Sequence, residues 1–214
     1  MKKTIFALVL LTTYYSYSQS PMDLLNAGRS ISQNANQDKL AKRWFSNIEV
    51  EFGVNNEVRY DYSSYDNNGK LIAGVSTTLK NKASYGILYS LNYPLFNKFT
   101  IGAVGGIQHQ VQQKISALKL GGILRYHFVN YESVNINLLT AYNLALSENI
   151  ESEMANVRLG LQFPVARTEG FNLNLNVFGD YNYYTYNKPI LNEINEKPSN
   201  ILFRSYGISL GIQF

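Results

Sequence analysis

The sequence predicts an all-β chain, an eight-stranded antiparallel up-and-down barrel that crosses a membrane. Three observations carry that expectation. Apolar residues recur at every second position from Trp44 to Phe214. The runs are broken by turn-forming clusters, and each has an apolar face of roughly ten residues, the length of a tilted strand crossing a bilayer. The face opposite the apolar one is mostly Asn, Gly, Ser and Gln, with few charges. A sheet face in bulk water is usually richer in Lys, Glu and Thr, so this polar face fits a narrow lumen and the apolar face fits lipid.

Composition sets the outer bounds. A chain of 214 residues fits one domain with a sizeable core. Charged residues make up 16% of it, below the roughly 25% of soluble proteins, while 17 are Tyr. The net charge of +4 is mild and not gathered in one block, which gives no footing to a nucleic-acid partner. Cys is absent, which excludes disulfides, thiol catalysis and Cys-based metal sites.

At the N-terminus, "MKKTIFALVLL" places two lysines before the apolar run Ile5–Leu11, and small residues follow at Ser16 and Ser18. This reads as a signal peptide over residues 1–18. Seven apolar residues are far short of the ~20 that span a bilayer as a helix. Residues 19–43 read as a polar periplasmic tail, with the basic stretch "KLAKRW" as an interfacial anchor. The barrel domain is expected over residues 44–214.

The strands follow in order. The first carries Ile48, Val50, Phe52, Val54, Val58, Tyr60 and Tyr62 on one parity. Asn68-Gly69 marks a hairpin turn, because both residues accept positive φ. The second runs from Leu71 to Tyr93, and "PLFNK" ends it. Alternation resumes at Phe99–Val111, Leu118–Phe128, Val134–Leu146, Val157–Val165 and Phe171–Tyr183. A polar stretch from Tyr184 to Asn200 reads as a long outer loop before the last strand, "SYGISLGIQF". Tight connections after the second, fourth and sixth strands alternate with longer ones, as in outer-membrane barrels with short periplasmic turns. Aromatics gather at both edges of the band. Trp44, Phe45, Tyr93, Phe96, Phe128, Tyr131 and Phe171 mark one rim, and Tyr60, Tyr62, Tyr181 and Tyr183 the other.

The final strand, ending on Phe214 with alternating apolar residues before it, resembles the C-terminal signature of bacterial outer-membrane β-barrels. That resemblance implies recognition of Phe214 by the barrel-assembly machinery. It covers the chain from about Trp44 to Phe214. The size resembles the OmpA-like and OmpX-like barrels, and the Asn- and Tyr-rich texture resembles the outer-membrane barrels of Bacteroidota. A porin-like, cell-surface role in a Gram-negative outer membrane follows as an expectation.

Chemistry is sparse. His127 falls on the lumen face near the periplasmic rim and His109 on the lipid face near the outer rim. Outer-membrane lipid deacylases of this size carry a His and a Ser two apart on one strand. Here His127 is followed by Phe128 and Val129, and His109 by Gln110 and Val111. No phosphate loop, nucleophile elbow or metal-ligand spacing is legible, so neither an enzyme nor a cofactor is expected.

By parity, Glu49, Glu51, Glu57, Arg59, Lys80, Lys82, Lys119, Arg125, Arg158 and Asp180 point into the lumen. An eight-stranded barrel is just wide enough for side chains to fill. A paired network that fills the interior therefore outweighs an ion path. Arg158 and Asp180, on adjacent strands, are expected to pair one diagonal step apart. The first hairpin alternates beyond the bilayer band and is expected to stand clear of the membrane. It is a candidate adhesive edge for a surface protein or matrix partner, which the protruding sheet of OmpX-like barrels also suggests by resemblance. The function expected is structural or surface-interacting. A narrow pore for small solutes is the alternative, and a lipid A-modifying enzyme a more distant one.

Overall fold

The computed structural model describes residues 43–66, 68–80, 82–130, 132–148, 150, 155–168, 170–191 and 195–214. The expected signal peptide (1–18), the tail up to residue 42, and Tyr131 of the lower rim lie outside the described residues.

Among the described residues, nine strands form one antiparallel sheet: β1 (Phe45–Tyr65), β2 (Leu71–Thr78), β3 (Ala83–Phe96), β4 (Phe99–Gln110), β5 (Ile115–His127), β6 (Asn135–Ala145), β7 (Ala155–Arg167), β8 (Asn172–Thr185) and β9 (Glu196–Gln213). The order is β2-β1-β3-β4-β5-β6-β7-β8-β9, and β1 also pairs with β9. That last pairing closes β1 and β3–β9 into an eight-stranded barrel. In lipid such closure is required, because an open edge would leave backbone N–H and C=O groups without partners. At the seam, Ser46 and Phe214 exchange backbone hydrogen bonds of 2.8 and 3.0 Å.

The second alternating run of the sequence is two strands. Its lower part, β3, pairs with β1 over Phe45–Val54, and its upper part, β2, pairs with β1 over Arg59–Tyr65. Leu79 still donates to Val58 O, and Lys82 O accepts from Asn55 N, so the chain leaves the ladder between them. The hairpin turn is made by Asp66, whose carboxylate accepts from the N–H groups of Asn68 and Lys70, with Gly69 at φ 76°.

Beside that break, β1 carries a bulge. Asn55 faces Ser205 and Glu57 faces Arg204, so Asn56 is an extra residue against β9. One extra residue turns every following side chain to the other face. Below the bulge Asn47, Glu49, Glu51 and Asn55 are buried inside while Ile48, Val50, Phe52 and Val54 are exposed outside. Above it Val58, Tyr60 and Tyr62 are buried inside. The inversion matches the environment. In lipid the apolar side must face out, and above lipid it must face in. An unbroken sequence alternation serves both because the bulge sits at the exit from the bilayer.

The exterior confirms where that exit lies. Tyr85, Tyr142, Tyr181 and Tyr206 are exposed on the outer surface, while a lower ring includes Trp44, Phe96, Phe99, Tyr126 and Phe128. Trp44 packs on Tyr93 at 5.0 Å, and Phe99 on Tyr126 at 5.1 Å. Tyr60 and Tyr62 therefore do not belong to the outer girdle expected from the sequence. They join Ile115, Tyr184, Ile201 and Phe203 in an apolar cluster inside the outer mouth. The last strand also departs from expectation. It begins at Glu196, within the stretch read as loop, because its upper half pairs with the extended part of β1 up to Ser64.

Candidate functional site: the filled lumen and the outer hairpin

The lumen is built from inward-facing positions of all eight wall strands. Asp180 on β8 is its most connected anion. Arg158 on β7 is its direct cross-strand partner, opposite and not diagonal as the spacing suggested. Arg158 Nη2 lies 3.2 Å from Asp180 Oδ2, and Arg158 Nη1 lies 2.6 Å from Oε2 of Glu51 on β1. Lys119 Nζ on β5 is 3.6 Å from Asp180 Oδ2 and donates to Asn156 Oδ1 at 3.2 Å. Amides of Asn156 (2.6 Å), Asn182 (2.9 Å) and Gln108 (3.2 Å) also donate to the Asp180 carboxylate. The guanidinium of Arg158 stacks on the Phe178 ring at 3.9 Å. Phe178 has room because Gly207 stands opposite it, where an added Cβ would lie 2.5 Å from the ring.

Nearer the periplasmic end, Arg125 lies 3.7 Å from Glu49 and donates to Asn92 and Ser90. Glu49 also accepts from Asn47 and Ser209, each at 2.7 Å. Lys119, Arg125 and Arg158 thus face Glu49, Glu51 and Asp180, and the three cations balance the three carboxylates. All six are at most 6% exposed. Charges removed from water in this way are stable only when paired and hydrogen-bonded. The arrangement fills this part of the lumen with paired charges, and among the described residues it sets no nucleophile against a base.

Other expected lumen residues lie elsewhere. Glu57 faces outward and pairs with Arg204 at 3.0 Å, and Arg59 pairs outside with Asp61 at 3.1 Å. Both were displaced from the lumen by the bulge at Asn56. Lys80 and Lys82 are exposed, because they fall where the chain leaves the ladder between β2 and β3. The amides that complete the Asp180 site were passed over in the sequence, although Asn156, Asn182 and Gln108 share the lumen parity on their own strands.

His127 lies inside near the periplasmic end, with Nε2 3.0 Å from Thr100 Oγ1. His109 lies at the outer girdle, its ring tilted against that of Tyr85, with Nδ1 2.8 Å from Ser116 Oγ. No carboxylate orients either ring through a hydrogen bond among the described residues. No group of three or more His, Asp and Glu side chains placed to hold a metal occurs among them either.

At the outer end, the described residues of the connection between β8 and β9, 186–191 and 195, lie against the mouth as a strap. Glu196 accepts from Tyr60 Oη at 2.6 Å and from Ile190 N at 2.9 Å. Asn195 donates to the carbonyls of Tyr65 and Asp66 at the hairpin tip. The strap therefore braces the hairpin against the barrel. β2 pairs with β1 alone, so its other edge is free among the described residues. Because Leu79 N points to β1, the alternation of the ladder aims the N–H groups of Ser76 and Thr78 at the free edge.

No protein-family model and no curated protein matches the sequence. Among solved structures, the chain is similar to the outer membrane protein OprG from Pseudomonas aeruginosa. The two are 14% identical over 81% of this chain and 97% of that one, with a TM-score of 0.47. It is also similar to the outer membrane protein AlkL in lipid bilayers, at 12% identity over 83% and 92%, TM-score 0.45. A Pseudomonas aeruginosa FadL homologue matches at 7% identity over 80% and 90%, TM-score 0.28. With its lipid-facing apolar wall, paired aromatic rims and polar interior, the chain is an integral outer-membrane β-barrel.

Proposed function

We propose that this outer-membrane barrel is a non-catalytic anchor whose first hairpin receives an extended segment of a surface or matrix protein by strand addition. The observation that carries the reading is the free edge of β2. Natural sheet edges are guarded by charges, prolines, bulges or a covering element. The β2 sequence, LIAGVSTT, has no charge and no proline, and most of its residues are exposed. Main-chain groups on such an edge give affinity to an added strand. The protruding hairpin likewise supports kinship with OmpX-like barrels, and the C-terminal strand supports delivery by the barrel-assembly machinery. The paired lumen charges weigh against the pore reading, since an ion path needs mobile water where these side chains pack.

The test uses the whole protein in nanodiscs and a fluorescent alternating Thr–Val peptide. Polarisation should report binding, and Ser76→Pro should abolish it. That change removes an outward N–H while leaving the β1 side of the ladder intact. Equal binding by Ser76→Pro refutes the edge. Planar-bilayer recording should show no steady conductance, and a stable open channel would refute the anchor role.

A further inference from the structure

A second feature of the outer mouth is independent of the free edge. Where the chain leaves the ladder between β2 and β3, Leu79 and Lys80 face the β4–β5 turn, with Gln112 and Lys114, and the strap, with Tyr186 and Ile190. Together they line an open cavity of about 330 Å³. That lies within the usual range of small-molecule sites, roughly 300–1,000 Å³. It sits above the girdle, because β4 ends at Gln110, one residue past the girdle residue His109.

We infer that this cavity binds a small soluble amphiphilic acid: a carboxylate head, an adjacent N–H or O–H donor, and an apolar body. Each part answers a feature of the wall. Leu79, Tyr186 and Ile190 supply apolar surface continuous with the cluster inside the mouth. Lys80 and Lys114 bring two ammonium groups to it, and neither has an ion pair with a described residue. The lumen cations, by contrast, all have carboxylate partners. Gln112 Oε1 is buried and has no hydrogen-bond partner among the described residues. A buried acceptor without a donor is unfavourable, and a ligand N–H would satisfy it. Lys114 adopts φ 53°, in the left-handed region where a turn would ordinarily place Gly or Asn. The turn therefore holds an ammonium group at a position where glycine would fold more easily. Strain of this kind gathers where a side chain is needed for a ligand. The position above the girdle favours a solute from the medium over the acyl region of a lipid.

The probe is N-octanoylglycine, measured by calorimetry against the full protein in nanodiscs with empty nanodiscs as baseline. Octanoylglycinamide removes the charge, and octanoate removes the N–H. The acid should bind, and the neutral amide should bind about tenfold more weakly. Lys114→Gly should weaken the acid by a similar factor while the thermal midpoint holds or rises, which separates lost binding from lost fold. Gln112→Leu should weaken N-octanoylglycine and leave octanoate unchanged. Unaltered binding by the Lys80→Ala/Lys114→Gly pair, or equal binding of acid and amide, overturns the inference. Lipopolysaccharide added to the nanodiscs should not displace the acid. If it does, the anion held there is a lipid phosphate and the soluble ligand is refuted.

Discussion

Removing the charge of Arg158 tests the filled lumen most directly. Its guanidinium lies 2.6 Å from Glu51 and 3.2 Å from Asp180, and all three side chains are at most 2% exposed. Arg158→Met keeps an apolar stem against Phe178 but leaves two carboxylates facing Lys119 alone. Lys119 remains 3.6 Å from Asp180, so Glu51 loses its cation. Breaking a buried pair by removing one member costs ~3–5 kcal/mol, and with burial this complete no discount for solvent screening applies. Glu51→Gln added to Arg158→Met restores neutrality with Lys119 and Asp180 still paired. The double variant should therefore be more stable than the sum of the single losses by about 1–3 kcal/mol. The assay is reversible urea unfolding in lipid vesicles, followed by the fluorescence of the chain's one Trp, Trp44. A loss under about 1 kcal/mol for Arg158→Met, or additivity within about 0.5 kcal/mol, would refute the argument that these charges are coupled.

Four further outcomes are expected. Unboiled and boiled samples should migrate differently on a detergent gel, since closure through β1–β9 leaves no wall strand free to fray; identical migration, or a helical circular dichroism spectrum, would contradict the barrel. Deleting Phe214 removes the backbone exchange with Ser46 and should lower the folded amount in cells, while refolding in detergent stays near normal; equal cellular levels would remove the assembly role. Gly207→Ala sets a Cβ 2.5 Å from the Phe178 ring and 2.6 Å from Phe52 O, and should destabilise by about 1–3 kcal/mol. At Gly179 the nearest atoms lie 4.0 Å from an added Cβ, so Gly179→Ala should stay within about 0.5 kcal/mol, read by the same urea midpoints.

Much of the barrel was legible because period two is a local property. Side chains on a strand alternate regardless of the partner, so runs such as Phe99–Val111 and Val134–Leu146 announced β4 and β6 within a residue or two of their ends. Parity also sufficed for Glu49, Glu51, Lys119, Arg125, Arg158 and Asp180, which lie on stretches that stay in register through the bilayer.

What only the tertiary structure decided is which way a side chain faces once the ladder slips. Val54, Val58, Tyr60 and Tyr62 share one parity in the sequence, yet Val54 faces out and the other three face in. The extra residue at Asn56 is defined by the count on β9 opposite it, and no property of β1 alone reveals that count. The same reason hid the start of β9. Glu196–Asn200 is polar and proline-bearing, and it becomes strand because the extended edge of β1 offers it hydrogen-bond partners. The sequence thus determined the eight wall strands through the bilayer, the closed barrel and the polar lumen, since these follow from alternation and composition. Register, bulge and strap needed the fold, because each depends on a match between two segments, and for the bulge and the strap these lie more than a hundred residues apart.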